Sequence, residues 1–284
     1  MLRARVQSAA ILTAALVAAV FFASPVAALL IVMAVAGLGL REFYGLFEAA
    51  RIPSYKIVGA ACGLGLIAAT WARYRWVEYF ARTPDADAFA LAIAALVLFV
   101  RQFGRKSNER PLETLAGSLM GVLYVGFLMT FFVRILMAWG GLEGRWLLLF
   151  TIAVVKCSDM GAYAVGCAIG RHKLLPRISP HKTWEGLAGG IVTAVGAALA
   201  GRAIAGGTLG PVALPVTDAV ILGVLLSLAG TLGDLTESLL KRAAGVKDSG
   251  TMFAGIGGVL DVIDSLFFAA PLAYYYARFL LPAA

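Results

Sequence analysis

Five acidic side chains lie inside or at the edges of strongly apolar stretches in the second half of this 284-residue chain. A carboxylate at the centre of a membrane costs about 2.5–3.5 kcal/mol on insertion scales, so acids are rare there without a partner or a function. A single acid of this kind is often an interfacial residue paired with Lys or Arg, but five with polar neighbours at helical spacing favour a functional site. They are Asp159, Asp234, Glu237, Asp261 and Asp264.

Two of the predicted helices carry polar residues at intervals of three and four, which places those residues on one helical face. The first face consists of Asp234, Glu237, Ser238 and Lys241. The second face consists of Asp261, Asp264 and Ser265. Two facing helices that present only oxygen ligands suit a hard cation such as Mg²⁺.

The segment between these two helices is rich in charge and glycine. It contains Lys247 and Asp248, followed by a glycine-rich element that ends with Gly257 and Gly258 at the start of the last helix. Free backbone N–H groups and the helix dipole at such a start favour a bound phosphate. The element lacks Walker spacing, so on its own it is a weak signal for a nucleotide.

A second polar cluster extends from Lys156 to the start of the next predicted helix, and most of its charge is basic. The basic residues could be simple cytosolic anchors, but their clustering with Ser179, Thr183 and two prolines favours an ordered anion-binding loop at the membrane surface. They are Arg171, Lys173, Arg177 and Lys182. His172 and His181 lack metal-ligand spacing and are interpreted as solvated. Small-residue spacing typical of close helix packing occurs at Gly166, Gly170, Gly186 and Gly190.

Together, these residue types indicate one kind of chemistry. Carboxylates suit a divalent metal, basic and hydroxyl groups suit phosphate, and apolar helices give access to lipid. The combination predicts phosphoryl or nucleotidyl transfer that involves a lipid. Nothing in these residues alone identifies the nucleotide.

The composition defines the scaffold that must hold these groups. Hydrophobic residues make up 61% of the chain and charged residues 14%, and the mean hydropathy is +0.88, whereas soluble domains are about half apolar and a quarter charged. We therefore predict an all-α, polytopic integral membrane protein and exclude disordered, collagen-like and disulfide-based chains. The three cysteines lack CxxC spacing. The net charge of +8 indicates anionic membrane lipid as a partner, and no nucleic acid is expected.

Nine apolar runs are predicted to span the membrane. With the N-terminus in the cytosol, sixteen of the 24 Lys and Arg residues fall in cytosolic segments and four in the opposite loops, as the positive-inside rule requires. This orientation places both polar clusters at the cytosolic face of an inner membrane. The first run has features of a signal peptide, but Pro25 at the cleavage point favours a retained span. The third and fourth runs are weak, so re-entrant segments are an alternative there. The runs are 8–23, 26–40, 57–71, 88–100, 114–137, 146–169, 184–206, 216–236 and 258–281.

The two halves of the chain are predicted to differ in role. Residues 1–145 form apolar helices without a chemical motif and are interpreted as a lipid-facing scaffold. Residues 146–284 contain both polar clusters and are interpreted as the catalytic region. No internal repeat or linker divides the chain further.

Two blocks of sequence resemble the phosphatidate cytidylyltransferase (CDP-diacylglycerol synthase) family. The first runs from Ser158-Asp-Met-Gly-Ala-Tyr to Ile178-Ser-Pro-His-Lys-Thr-Trp-Glu-Gly, and the second from Gly233-Asp-Leu-Thr-Glu-Ser to Gly257-Gly-Val-Leu-Asp-Val-Ile-Asp-Ser. The resemblance implies a Mg²⁺-dependent enzyme of phospholipid biosynthesis that converts CTP and phosphatidate to CDP-diacylglycerol and pyrophosphate. Three positions depart from the expected pattern and favour a variant subfamily. They are Ala254 in place of a proline, Ile256 in place of a histidine and Val262 in place of an arginine.

The resemblance also suggests roles for individual residues. The expected metal ligands are Asp261, Asp264, Asp234 and Asp159, although Asp159 could instead orient another ligand. Asp248 is a further candidate ligand and, with Lys247, completes the catalytic set formed with Asp261 and Asp264. The groups expected to hold the triphosphate are Lys241, Arg242 and Lys247, and those expected at the phosphatidate headgroup are Ser179, Lys182 and Thr183. Ser238, Gly257 and Gly258 complete the substrate-binding set. A second cation and a homodimer are both compatible with the sequence.

Two other functions stay open at this point. One is another lipid-modifying enzyme, either a cytidylyltransferase for a different lipid phosphate or a lipid kinase. The other is a proton- or ion-coupled transporter, since intramembrane acids and closely packed small-residue helices are common in transporters.

Overall fold

The computed structural model describes residues 24–76, 86–104, 109–139, 144–210, 212–250, 252 and 257–282. Within these residues, seven helices are long and apolar enough to cross a membrane. The prediction of an all-α, polytopic membrane protein is therefore confirmed. The count of nine spans and the cytosolic N-terminus stay predictions, and the first predicted span, 8–23, lies outside the described residues.

The first part of the described chain is entirely helical. Helix α1 begins at Pro25 because Ser24 caps it, with the Ser24 hydroxyl accepting from the Ala27 N–H at 3.2 Å. A single π-helical segment (Val122–Phe127) lies between α4 (Pro111–Gly121) and α5 (Leu128–Met137). The three parts together form one 27-residue span. The elements are α1 (Pro25–Ala49), α2 (Lys56–Arg75), α3 (Ala86–Phe103), α4 (Pro111–Gly121), the π segment (Val122–Phe127) and α5 (Leu128–Met137).

The second part combines four helices with two short antiparallel hairpins. In the first hairpin Lys173 lies opposite Thr183, and in the second Leu209 lies opposite Val212. The elements are α6 (Arg145–Ile169), β1 (Lys173–Leu175), β2 (Ser179–Thr183), α7 (Trp184–Ile204), β3 (Thr208–Leu209), β4 (Val212–Ala213), α8 (Val216–Ala243) and α9 (Val259–Phe279).

The predicted spans agree with the helices better in position than in length. Each of the eight spans that begin after residue 25 overlaps a described helix. The predicted ends were too early for α1, which continues through Arg41 and Glu42 to Ala49, and for α8, which continues to Ala243. Charged residues on a helix end its apolar stretch without ending its backbone hydrogen bonding. The two hairpins were not predicted, because strands of two to five residues leave no measurable periodicity.

The described residues form two compact units, and each unit is made of two stretches of the chain. Unit 1 takes in the described parts of Met1–Gly141 and Ala243–Val262, and unit 2 takes in those of Leu142–Arg242 and Ile263–Ala284. Helix α9 therefore begins in unit 1 and continues in unit 2.

The core of unit 1 is built around aromatic side chains that pack against glycines. The Tyr44 ring is 1% exposed, and a Cβ added at Gly59 or Gly121 would collide with it. Glycine at these two positions lets α1, α2 and α4 approach one another closely. The Tyr44 hydroxyl donates to the Ser118 carbonyl oxygen at 2.7 Å, so its polar end is satisfied inside the unit.

Unit 1 also contains a buried polar network that the sequence reading of residues 1–145 missed. Asp87 accepts a hydrogen bond from the Thr70 hydroxyl at 2.9 Å and pairs with two arginines, Arg73 at 2.5 Å and Arg134 at 3.1 Å. Arg134 is 7% exposed, so its charge needs this partner. The interpretation of this half as a lipid-facing scaffold stays a prediction, but its helices also hold an ion-pair network that the sequence did not indicate.

The close packing predicted for the glycines of unit 2 is confirmed for α6 and α7. A Cβ at Gly186 would lie 2.8 Å from the Ala162 carbonyl oxygen, and one at Gly190 would lie 3.1 Å from Ser158. A Cβ at Gly170 would lie 2.7 Å from the Thr183 hydroxyl. Small residues thus allow α6 and α7 to pack closely, and Gly170 allows the end of β2 to approach the end of α6.

Candidate active site

Three of the predicted acids come from three different helices of unit 2 and share one network. Asp159 lies on α6, Asp234 on α8 and Asp264 on α9. The Ser265 hydroxyl donates to Asp159 Oδ2 at 3.4 Å and accepts from Lys156 Nζ at 3.2 Å, while Lys156 Nζ lies 3.5 Å from the same Asp159 oxygen. Helix α8, which carries Asp234, packs against the same Ser265, so the three helices meet at this residue.

Glycines on α8 allow the close approach of α8 and α9 that brings two of these acids together. A Cβ at Gly233 would collide with the Asp264 carbonyl group and lie 3.1 Å from the Ser265 Cα. A Cβ at Gly230 would lie 3.6 Å from the Ser265 Cβ. Because Asp234 follows Gly233 directly, the close contact places its turn beside Asp264, which is 7% exposed.

The first hairpin brings a lysine to this cluster. Lys182, near the end of β2, places its Nζ 2.8 Å from Asp234 Oδ2, and the Ser238 hydroxyl donates to Asp234 Oδ1 at 3.2 Å. The next residue, Thr183, is 4% exposed and caps α7, because its hydroxyl accepts from the Gly186 N–H at 3.1 Å. The cap fixes the end of the strand and therefore the direction of Lys182.

Two other predicted phosphate ligands lie on the last turns of α8. Lys241 Nζ is 2.6 Å from Glu237 Oε2, and Glu237 is fully buried. This pair gives Lys241 a structural partner one turn away. Arg242 donates from Nε to the Ile178 carbonyl oxygen at 3.4 Å, next to the predicted headgroup residue Ser179.

The remaining predicted residues lie in unit 1, around the start of α9. Asp261 Oδ2 accepts from the Ser249 hydroxyl at 2.7 Å, the Gly258 N–H at 2.7 Å and the Ser249 N–H at 3.1 Å. Gly257 has a φ of 111°, a conformation that favours glycine, and a Cβ there would press on the Asp261 carboxylate. Lys247 and Asp248 are exposed on the segment that precedes Ser249.

Sequence reasoning missed one acid at this helix start. Glu42, on α1, accepts from the Val259 N–H at 3.0 Å and the Leu260 N–H at 2.8 Å. The three N–H groups at 258–260, which were expected to favour a phosphate, therefore donate to carboxylates in this structure. The signal in the sequence was weak, since Glu42 lies just beyond the predicted run 26–40 and the sequence does not show its partner.

The donor set of unit 2 fits a hard divalent cation. It offers carboxylate and hydroxyl oxygens from Asp159, Asp234, Asp264, Ser238 and Ser265. Among the described residues, no group of three acidic, histidine or cysteine side chains is arranged to hold a metal ion. Mg²⁺ usually takes only one or two carboxylates and completes its shell with water and substrate phosphates, so this arrangement is suitable for it.

Comparison with known proteins identifies the family. The sequence profile described as "Cytidylyltransferase family" matches residues 3–280. The chain belongs to this family.

Curated relatives of the chain include two that it matches over most of their length. It is 35% identical over 276 residues to a phosphatidate cytidylyltransferase of Synechocystis, covering 86% of each chain. It is 32% identical over 233 residues to a phosphatidate cytidylyltransferase of Bacillus subtilis, covering 81% of this chain and 83% of the relative. A third match, 37% identical over 169 residues to the Escherichia coli protein named uncharacterized protein YnbB, spans about half of that relative, 54%.

Membership of the cytidylyltransferase family agrees with the resemblance seen in the two sequence blocks. The structure places the residues of those blocks in two groups, one in each unit. Asp159, Asp234, Asp264, Lys182 and Ser238 are in the unit 2 network, while Asp261, Gly257 and Gly258 are in the unit 1 group with Ser249 and Glu42. Of the three departures from the family pattern, Ala254 and Ile256 lie outside the described residues, and Val262 lies in the first turn of α9.

Proposed function

We propose that this membrane protein is a Mg²⁺-dependent phosphatidate cytidylyltransferase that works at the cytosolic face of an inner membrane. Its family and the names of its relatives support synthesis of CDP-diacylglycerol from CTP and phosphatidate. They do not favour the alternatives of another lipid phosphate or a proton- or ion-coupled transporter. The substrates and the membrane lipid are the partners expected for this reaction, and a homodimer stays a prediction.

The observation that carries the proposal is the network in unit 2. Asp159 and Asp234 each lie beside a lysine and a serine hydroxyl, and Asp264 is on a third helix that packs against α8 at Gly233. Asp264 is buried, and burying a carboxylate beside other acids is costly unless a cation balances the charge. Binding of a metal-triphosphate complex would explain why acidic and basic side chains are clustered at this site.

The reaction needs alignment more than it needs a strong base. A phosphate oxygen of phosphatidate, already an anion at neutral pH, attacks the α-phosphorus of CTP. The bond from that phosphorus to the α–β bridging oxygen breaks, and pyrophosphate leaves with the bond's electron pair. When bound, Mg²⁺ would screen the repulsion between the two polyanions and stabilise charge on pyrophosphate.

The residues of this chain have separate tasks in that scheme. One or two of Asp159, Asp234 and Asp264 would hold the metal, with water and phosphate oxygens completing its shell. Lys182, which faces Asp234, would turn to the phosphatidate headgroup. Holding the two reactants in line converts a slow encounter into a step within one complex. Ligation by Asp261 and Asp248 stays a proposal, as does binding of substrate by the groups Lys241, Arg242, Lys247, Ser179, Thr183, Ser238, Gly257 and Gly258.

The test is a direct assay of the purified full chain in phospholipid nanodiscs. We expect pyrophosphate release only when CTP, phosphatidate and Mg²⁺ are all present, with CDP-diacylglycerol formed in equal amount. Replacing CTP by ATP tests a kinase, and replacing phosphatidate by other lipid phosphates tests another acceptor. Absence of CTP-dependent pyrophosphate release with phosphatidate would contradict the proposal.

A further inference from the structure

Glu42 joins the N-terminal helices to the start of α9 through contacts that bridge more than 200 residues of sequence. One carboxylate oxygen, Oε1, accepts from the Val259 N–H, and the other, Oε2, accepts from the Leu260 N–H. Oε2 also lies 3.3 Å from the Ser249 hydroxyl. The start of α9 thus has a negatively charged cap supplied by another helix, in the orientation that the helix dipole favours.

Two glycines, which lack a side chain, provide the space that the Glu42 carboxylate occupies. A Cβ at Gly250 would lie 2.6 Å from Glu42 Oε1, and one at Gly258 would lie 2.6 Å from Glu42 Cδ. Any larger residue at either position would push the carboxylate away from the N–H groups. The glycine-rich character of this segment is therefore explained at these positions by a side chain of the same protein.

Ser249 links Glu42 to Asp261. Its hydroxyl lies between the two carboxylates, 2.7 Å from Asp261 Oδ2 and 3.3 Å from Glu42 Oε2. Since the hydroxyl has one hydrogen, it donates to the nearer oxygen, and Glu42 fixes the helix turn from the other side. All of these residues lie in unit 1, together with Lys247 and Asp248.

We propose that Glu42 is a positioning residue for cytidylyl transfer, an inference that rests on the proposed function. By holding the first turn of α9 and the segment around Ser249, Glu42 keeps Asp261 in one orientation and fixes the segment that carries Lys247 and Asp248. Loss of the carboxylate leaves backbone N–H groups without an acceptor and frees the turn. The N-terminal half is then part of the catalytic machinery and more than a lipid-facing scaffold.

The test compares Glu42→Gln with Glu48→Gln in the full chain in nanodiscs. Glu48 lies on the same helix, pairs with Lys56 and is exposed, so it is a matched control for the loss of one charge. We expect Glu42→Gln to lower kcat about 10- to 100-fold, as a displaced catalytic group does, with KM for CTP changed less than about threefold. Amide hydrogen exchange should become faster at Val259 and Leu260, and Glu48→Gln should change none of these quantities.

The conservative variant Glu42→Asp separates positioning from folding. It keeps the charge but shortens the side chain, so we expect an intermediate kcat and intermediate protection of the two amides, even if Glu42→Gln folds poorly. Equal kcat for Glu42→Asp and wild type, despite faster exchange at these amides, would overturn the positioning role. A wild-type chain without CTP-dependent turnover would overturn the proposed function instead, while the exchange data would still report on the cap.

Discussion

The carboxylates at the start of α9 and those of the unit 2 network are satisfied by different kinds of partner. In unit 1, Glu42 and Asp261 accept from backbone N–H groups and a serine. In unit 2, Asp159 and Asp234 face the ammonium groups of Lys156 and Lys182. A backbone N–H at a helix start cannot leave without unfolding the turn, whereas a lysine side chain can rotate away. The first arrangement therefore fixes an orientation, and the second leaves room for exchange with a metal or a phosphate.

The largest effect on activity should come from neutralising Asp264, a buried acid of unit 2. Asp264→Asn keeps the shape of the side chain but removes the charge that a metal requires. We expect kcat to fall roughly 10²- to 10³-fold, the size seen when one preorganised electrostatic group is lost. The measurement is CTP-dependent pyrophosphate release at saturating Mg²⁺.

Asp218→Asn is the matched control for that variant. Asp218 is also an acid of unit 2, but it accepts from the Tyr276 hydroxyl at 2.6 Å and has no proposed role in transfer. It should retain activity within about threefold of wild type. Full activity of Asp264→Asn would remove the distinction between the two groups of carboxylates.

The second largest effect should be on stability and should come from the Glu237–Lys241 pair. Lys241→Met leaves a fully buried carboxylate without its ammonium partner, which costs about 3–5 kcal/mol. The unfolding temperature in detergent should fall accordingly. The double variant Glu237→Gln/Lys241→Met should recover most of the loss. A raised KM for CTP in that double variant would show that Lys241 also binds the triphosphate.

A smaller, kinetic effect is expected at the hairpin. Lys182→Ala removes the ammonium group beside Asp234, and we expect KM for phosphatidate to rise about tenfold, the value of one charge-assisted hydrogen bond. The Mg²⁺ concentration for half-maximal rate should stay the same. The exposed Lys173, on the facing strand, provides the control Lys173→Ala. A change in Mg²⁺ dependence without a change in KM would reject the headgroup role.

The smallest effect is expected at Thr183, where the structure shows a helix cap. Thr183→Ala should cost about 1 kcal/mol of stability, and Thr183→Ser, which keeps the hydroxyl, should cost much less. Both should leave KM for phosphatidate unchanged if capping is the only role. A raised KM in the alanine variant alone would support the predicted contact with the headgroup.

Much of the fold followed from the sequence because the membrane restricts it. A span needs about 20 apolar residues, so hydrophobic runs predict the positions of the helices. Charged residues mark the ends of the runs, although α1 and α8 continue beyond them. Helical spacing predicted which residues share a helical face, and Asp234 and Asp264 lie on two helices that pack closely at Gly233. Asp261 was expected on the same face as Asp264, but it accepts hydrogen bonds at the start of α9 instead.

The parts that could not be predicted depend on pairing between distant segments. Glu42 lies just beyond the apolar run of its helix, and no pattern in α1 indicates that its carboxylate lies at the start of α9. The spacing of Glu237 and Lys241 fits both an ion pair and a shared binding face, and only the burial of Glu237 shows the ion pair. The register of the hairpin likewise decides that Lys182 faces Asp234.

The central claim is that the acids of unit 2 hold a divalent cation together with the triphosphate. Electron paramagnetic resonance of Mn²⁺ tests it most directly, because Mn²⁺ uses the same oxygen ligands as Mg²⁺ and its free and bound forms give different signals. With CTP present, the wild-type chain and Asp218→Asn should bind Mn²⁺ equally, and Asp264→Asn should bind it at least about tenfold more weakly. Equal binding by all three proteins would contradict the account.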